Sequence, residues 1–160
     1  MNEIIKSLYE RKSVRVFEER SIPDEYKKEI LLAAMEAPTA GNQQLYTILD
    51  ITDQSLKDRL AVSCDKQPFI AKAPMVLIFE EGEAEPRKPG CGDLFLGIDD
   101  ALIAAQNAVV AADSLGIGSC YIGDIMEQCE LHREMLHLPE YVFPAAMLVF
   151  GYPTAQQKER

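Results

Sequence analysis

The sequence has little of what most often builds metal centres or disulfide scaffolds: two histidines and four cysteines in 160 residues. Cys64, Cys91, Cys120 and Cys129 are widely spaced and include no C-x-x-C pair. Free thiols in a reducing compartment are therefore expected. His132 and His137 are five residues apart, without an H-E-x-x-H motif, and Cys129 with His132 lacks enough neighbouring ligands to close a site. No metal is expected. Both histidines are placed on the polar face of their helix or near its C-terminal end, where positive charge is tolerated.

Positive charge is also scarce. Sixteen Lys and Arg face 26 Asp and Glu, and the net charge of −10 argues against a nucleic-acid or anionic-membrane partner. No uninterrupted apolar run approaches the ~18 residues that span a bilayer. The start, Met1-Asn2-Glu3-Ile4-Ile5-Lys6, lacks the basic-then-apolar order of a signal peptide. A cytoplasmic location is the expectation. Repeats, low-complexity tracts and Gly/Pro/Ser-rich linkers are missing too, so residues 1–160 are read as a single domain.

What is present is a run of helical and strand-like patterns. Ile4, Ile5, Leu8 and Tyr9 recur at helical spacing in Asn2–Glu10. Ser21-Ile22-Pro23-Asp24 opens a second helix that stops near Pro38. Tyr46–Thr52 reads as a strand and Asp53–Ser63 as an amphipathic helix with an Asp or Ser cap. Pro74–Phe79 reads as a buried strand and Glu80–Gly92, with its charges, prolines and glycines, as a loop. A long helix follows from about Leu94 to Leu115, apolar almost all round and rich in alanine, so it must be buried inside the domain or between subunits. Ser119–Ile122 is a strand, Ile125–Leu136 a helix and Pro144–Phe150 a last strand. The interleaving is not strict, which predicts an α+β fold with a mixed sheet.

Four segments could carry chemistry. Arg11-Lys12-Ser13-Val14-Arg15 puts three cations and a hydroxyl where they suit a phosphate, or else a solvated face complementing a helix dipole. Ala37-Pro38-Thr39-Ala40-Gly41-Asn42-Gln43-Gln44 is a helix-ending loop whose amides could bond the edge of a heteroaromatic ring. Gly116-Ile117-Gly118 follows a helix and opens a strand, the reverse of a dinucleotide-binding glycine loop, and Tyr121 stands at the third glycine position. Ser119 is not in a nucleophile elbow, because Ile117 replaces the required glycine. Lys158-Glu159-Arg160 closes the chain as a charged tail.

The order of these segments is more specific than any one of them. Arg11-Lys12-Ser13-Val14-Arg15-x-Phe17 resembles the R-R-S-x-R-x-F opening of nitroreductase-family flavoproteins. Ala37 to Gln44 resembles the family's A-P-S-x-x-N-x-Q loop, with Thr39 for Ser. Gln67-Pro68-Phe69-Ile70 before Ala73-Pro74, and Asp100-Ala101-x-x-Ala104-Ala105-Gln106-Asn107 running into Leu115-Gly116-Ile117-Gly118-Ser119-Cys120-Tyr121-Ile122-Gly123, follow in the same register. Leu138-Pro139-Glu140 and Gly151-Tyr152-Pro153 complete it. The resemblance covers nearly the whole chain.

That resemblance implies an α+β fold with a mixed, mainly antiparallel sheet flanked by helices, and an FMN-dependent oxidoreductase drawing on NADH or NADPH, an intertwined homodimer with FMN at the subunit interface. Arg11, Lys12, Ser13 and Arg15 would hold the phosphate and ribityl chain, joined by Lys158 and Arg160. Pro38, Thr39, Ala40 and Asn42 would come from the second subunit and line the isoalloxazine. Gln67 would reach its pyrimidine edge. The backbone at Tyr121, Ile122 and Gly123 would pass its other side, with an N–H toward N5. The Ala-rich helix would pack closely in the dimer interface. A ping-pong cycle is implied, with a nitroaromatic, quinone or similar small-molecule acceptor, and no side-chain acid or base is named as catalytic. Lys12 for Arg keeps charge but loses bidentate geometry. Leu45 stands where many relatives have Pro, and the chain is short for the family, leaving little length for a lid. The alternative is a flavin-binding carrier, sensor or reductase partner with little NAD(P)H turnover.

Overall fold

The computed structural model describes residues 1–82 and 91–155, those of 91–93 as backbone only. Along the chain come α1 (Glu3–Glu10), α2 (Asp24–Met35), a 3-10 turn (Ala40–Asn42), β1 (Tyr46–Asp50), α3 (Gln54–Ser63), α4 (Pro68–Lys72) and β2 (Met75–Glu81). Then follow α5 (Cys91–Ser114), β3 (Gly118–Ile122), α6 (Asp124–Glu127), α7 (Cys129–Leu136) and β4 (Phe143–Gly151). Local capping sets several boundaries. Asn2 Oδ1 accepts from the Ile5 amide at 2.9 Å, and Asp53 Oδ1 from the Ser55 amide at 3.0 Å.

The four strands form one sheet in the order β1-β2-β4-β3, each pairing antiparallel. One isolated bridge, Ser13 to Ser119, is parallel. The α+β expectation holds. β2 and β4 lie inside the sheet, with both faces covered, which explains why their sequences read as unbroken apolar runs rather than alternating ones. Met75, Leu77 and Phe79 face the core under α2 and α5, while Val76 and Ile78 face the core under α3, α4, α6 and α7.

α5 lies against the first of these faces. Ala101, Ala104, Ala105, Ala108 and Ala112 are fully buried within the chain's own core, so the alanine face seats the helix on the sheet. Its exposed apolar residues are the larger Phe95, Leu96, Leu102 and Ile103. Leu94–Ser114 is also long and apolar enough, by length and composition, to cross a membrane, although charges interrupt it. Packing on the sheet accounts for its buried face.

The largest differences from the boundaries read in the sequence are three. β2 runs on to Glu81, because Glu80 and Glu81 are buried despite their charge, and α5 starts at Cys91. The predicted loop is therefore shorter at both ends, and its residues 83–90 fall outside the described ones. The expected helix Ile125–Leu136 breaks at Gln128 (φ −117°, ψ 52°) into α6 and α7.

Candidate functional site

The chain after α1 runs beside β3, on the edge of the sheet. The Val14 amide donates to Ser119 O at 2.9 Å, and the Glu18 amide to Tyr152 O at 2.8 Å. Two glycines make the close passage possible. A Cβ at Gly118 would fall 2.5 Å from Val14 Cγ2, and one at Gly151 2.6 Å from Phe17 Cδ1. Val14 is thereby buried, while Ser13 and Arg15, its neighbours on the opposite side of an extended backbone, are exposed. The cationic segment is thus presented by a backbone pinned to the sheet.

The other groups at this edge come from the α3–α4 turn and the end of β3. Arg15 lies over the Phe69 ring, 6.0 Å from its centroid. Gln67 Nε2 donates to Cys64 O at 3.0 Å and to Asp124 Oδ2 at 2.8 Å. Tyr121 donates to Gln106 Oε1 at 3.3 Å; burial pushes its phenol up to about 12, opposed by the charge of Arg11. The structure thus brings Arg11, Ser13, Arg15, Gln67, Tyr121, Ile122 and Gly123 to one region, with Lys12 in the same segment.

Gly123 is unusual among them. Its φ of −73° is open to any residue, and a Cβ there would meet nothing within 4 Å. Neither backbone conformation nor packing among the described residues calls for glycine, and the space over it is open.

Pro38, Thr39, Ala40 and Asn42 lie elsewhere. Their loop precedes β1, at the opposite edge of the sheet. Gly41, Asn42 and Gln44 all have φ between 56° and 59°, conformations that glycine and asparagine adopt readily. Buried Asp100 of α5 anchors the loop, accepting from the Ala40 amide at 3.0 and 3.2 Å through its two oxygens. The Gln44 amide donates to Thr39 Oγ1 at 3.2 Å. Pro38 and Asn42 are exposed. At the other end of α5, Ser7 of α1 bonds Asp113. Thirteen residues separate Asp100 from Asp113, or about 20 Å of helix. Within one chain the loop and the cationic segment do not meet.

Lys158 and Arg160 lie outside the described residues. His132 corrects an expectation: it is wholly buried, not on a polar face. Its Nδ1 bonds Ile125 O at 2.7 Å and its Nε2 bonds Ser63 Oγ at 2.8 Å. His137 does sit at the C-terminal end of α7, in left-handed conformation. Two residues that the sequence does not mark for the site, Asp100 and Asp124, hold its groups in place. Asp100 stood in a recognised motif without a role, and Asp124 directly follows the Tyr121–Gly123 segment.

The model of the nitroreductase family matches residues 8–89 and 61–152. An FMN reductase [NAD(P)H] of Bacillus subtilis is 31% identical, over 100% of this chain and 70% of its own length. An oxygen-insensitive NADPH nitroreductase of Salmonella typhimurium is 31% identical over 96% of this chain and 67% of its own length. Among solved structures, the NADPH:FMN oxidoreductase of Vibrio harveyi complexed with NAD+ superposes with a TM-score of 0.93 at 26% identity, covering 99% of this chain and 72% of that one.

Proposed function

This chain belongs to the nitroreductase family, and on that premise we propose that it is an FMN-dependent oxidoreductase. It uses NADH or NADPH to reduce nitroaromatics, quinones or similar electron-poor acceptors. The observation that carries this reading is the convergence at the β3 edge. A pinned cationic segment, the amide of Gln67 and the open space over Gly123 lie together. An anionic phosphate tail and a flat heteroaromatic head make demands of that kind, so the residues present fit FMN.

Arg11, Lys12, Ser13 and Arg15 hold the phosphate and ribityl chain, with Lys158 and Arg160 joining from the tail. Gln67 meets the pyrimidine edge, and the backbone of Tyr121, Ile122 and Gly123 lies along the ring. Bound there, FMN would supply the two-electron chemistry of a ping-pong cycle between the nicotinamide and the acceptor. The chain's own part is to bind and orient both partners on one face and to exclude water.

The remaining ring contacts, Pro38, Thr39, Ala40 and Asn42, come from a second subunit. Two observations support a homodimer. The loop and the cationic segment are too far apart in one chain to share a ring. Ile4, Ile5, Leu8 and Tyr9 of α1, with Phe95, Leu96, Leu102 and Ile103 of α5, leave apolar side chains exposed. An eight-residue helix such as α1 does not hold itself together in water without a surface to pack on. A cytoplasmic location fits the free thiols of Cys64, Cys120 and Cys129.

A visible absorption spectrum of the purified protein, taken before and after anaerobic NADH and then NADPH, tests the reading. A flavin band that bleaches promptly with either donor supports the reductase. A band that persists with both supports a carrier or reductase partner instead. A protein with no flavin band after FMN is added rejects FMN binding.

A further inference from the structure

Asp124 and His132 belong to a closed ring of hydrogen bonds behind Gln67. Asp124 Oδ2 accepts from Gln67 Nε2, which also donates to Cys64 O. Ser63, covalently next to Cys64, bonds His132 Nε2, and His132 Nδ1 bonds the carbonyl of Ile125, the residue after Asp124. Because the Ile125 carbonyl can only accept, Nδ1 donates to it, while Nε2 lies 2.8 Å from the Ser63 hydroxyl. The circuit thereby ties the end of α3, the start of α6 and the middle of α7 to the turn carrying Gln67. Gln128 Nε2 adds a bond to Ser63 O at 2.7 Å.

The direction of these bonds fixes the Gln67 amide. An amide nitrogen has two protons, and the partners here are a carbonyl oxygen and a carboxylate oxygen, neither of which can donate. Both protons of Nε2 are therefore committed inward. Turning the amide over would set its oxygen against two acceptors.

Resting on the FMN reading above, we propose that Asp124 is a positioning residue that holds Gln67 with Oε1 outward. Gln67 then meets the flavin as a hydrogen-bond acceptor. The complementary group on a pyrimidine edge is the ring N3–H, flanked by the two carbonyls C2=O and C4=O. The site thus selects for a ring N–H donor, and the selection is imposed by a carboxylate that need not touch the ring.

The test is the affinity of the protein for FMN against N3-methyl-FMN, which lacks the donor, read by titration of flavin fluorescence. Unmodified protein is expected to prefer FMN by about tenfold or more, the scale of one well-made hydrogen bond to a desolvated partner. Asp124→Ala is expected to reduce that preference severalfold. Asp124→Asn, whose side-chain oxygen still accepts from Gln67, should retain it, and a far-UV spectrum checks that both variants are folded. A preference in Asp124→Ala equal to that of the unmodified protein would overturn the role of Asp124. Equal binding of the two flavins by the unmodified protein would overturn the outward acceptor while leaving FMN binding intact. Failure of the unmodified protein to bind FMN at all would reject the functional reading and this inference with it.

Discussion

The two edges of the sheet hold their candidate ligand groups in different ways. At the β3 edge, residues 11–15 are pinned by a backbone bond to Ser119 and by a side chain seated over Gly118, and Gln67 is held by a closed circuit. At the β1 edge, among the described residues, the buried carboxylate of Asp100 ties residues 38–42 to the body of the chain through the Ala40 amide. The sheet beside that loop also carries a burden: Glu80 and Glu81 pair with Thr47 and Tyr46 of β1, and Glu80 Oε1 is buried with no partner among the described residues. Both edges present exposed groups, Ser13 and Arg15 at one and Pro38 and Asn42 at the other, but the first is held by more contacts among the described residues. A site shared between subunits calls for such a division. Under the proposed function, the half that would grip the cofactor is held in place within the chain, and the half that would be supplied to a neighbour is a short, locally stiff loop.

The largest expected effect comes from loosening the β3 edge. Gly118→Ala places a methyl 2.5 Å from Val14 Cγ2, and a β-branched side chain has little freedom to yield. The cationic segment must lift from β3. FMN affinity should fall on the order of 100-fold, about 2.7 kcal/mol, with the dimer retained. Binding calorimetry beside light scattering measures both, and unchanged affinity would show that the pinning of Val14 is irrelevant to the ligand.

Asp100→Ala attacks the loop edge. The Ala40 amide loses both acceptor oxygens, and the loop loses its tie to α5. A loss of FMN affinity of roughly tenfold is expected, on the scale of one charge-assisted hydrogen bond. Asp100→Asn keeps an acceptor and should lose less. An effect as large as that of Gly118→Ala would erase the contrast between the edges.

The smallest effect concerns pH. Burial raises the carboxyls of Glu80 and Glu81 to about 7 from the usual 4.5. The folded chain therefore binds these protons more tightly than the unfolded chain does. Their contribution is most favourable below about pH 4.5, is lost as pH rises through about 7, and changes little above that. Glu80→Gln should raise stability at pH 8 relative to pH 5 by ~1–2 kcal/mol, read by denaturant unfolding at both values. A gain equal at both pH values would contradict the burial of a charge there.

Much of this was legible in the sequence, for identifiable reasons. Helix and strand periods located nearly every long element, and the aligned order of motifs pointed to the family that the comparisons show. What stayed hidden depends on contacts distant in sequence. Glu80 and Glu81 look like the start of a loop, and only pairing with β1 and β4 shows them to be strand. His132 looks like a polar-face residue until Ser63, 69 positions away, supplies its partner. The five-residue α4 is too short to leave a period. The alanines of α5 were apolar in either setting, and only the fold shows that they face the sheet while Phe95, Leu96, Leu102 and Ile103 face outward. Asp124 carries no signal as a single acidic residue; its meaning lies in the two protons of Gln67.

The shared site is tested most directly by size-exclusion chromatography of the FMN-loaded protein, with light scattering and flavin absorbance recorded on the same trace. The flavin should travel only with a species of twice the 17.9 kDa chain mass, and dilution that dissociates the dimer should release it. A folded monomer that keeps its FMN would contradict a site completed by the neighbouring subunit.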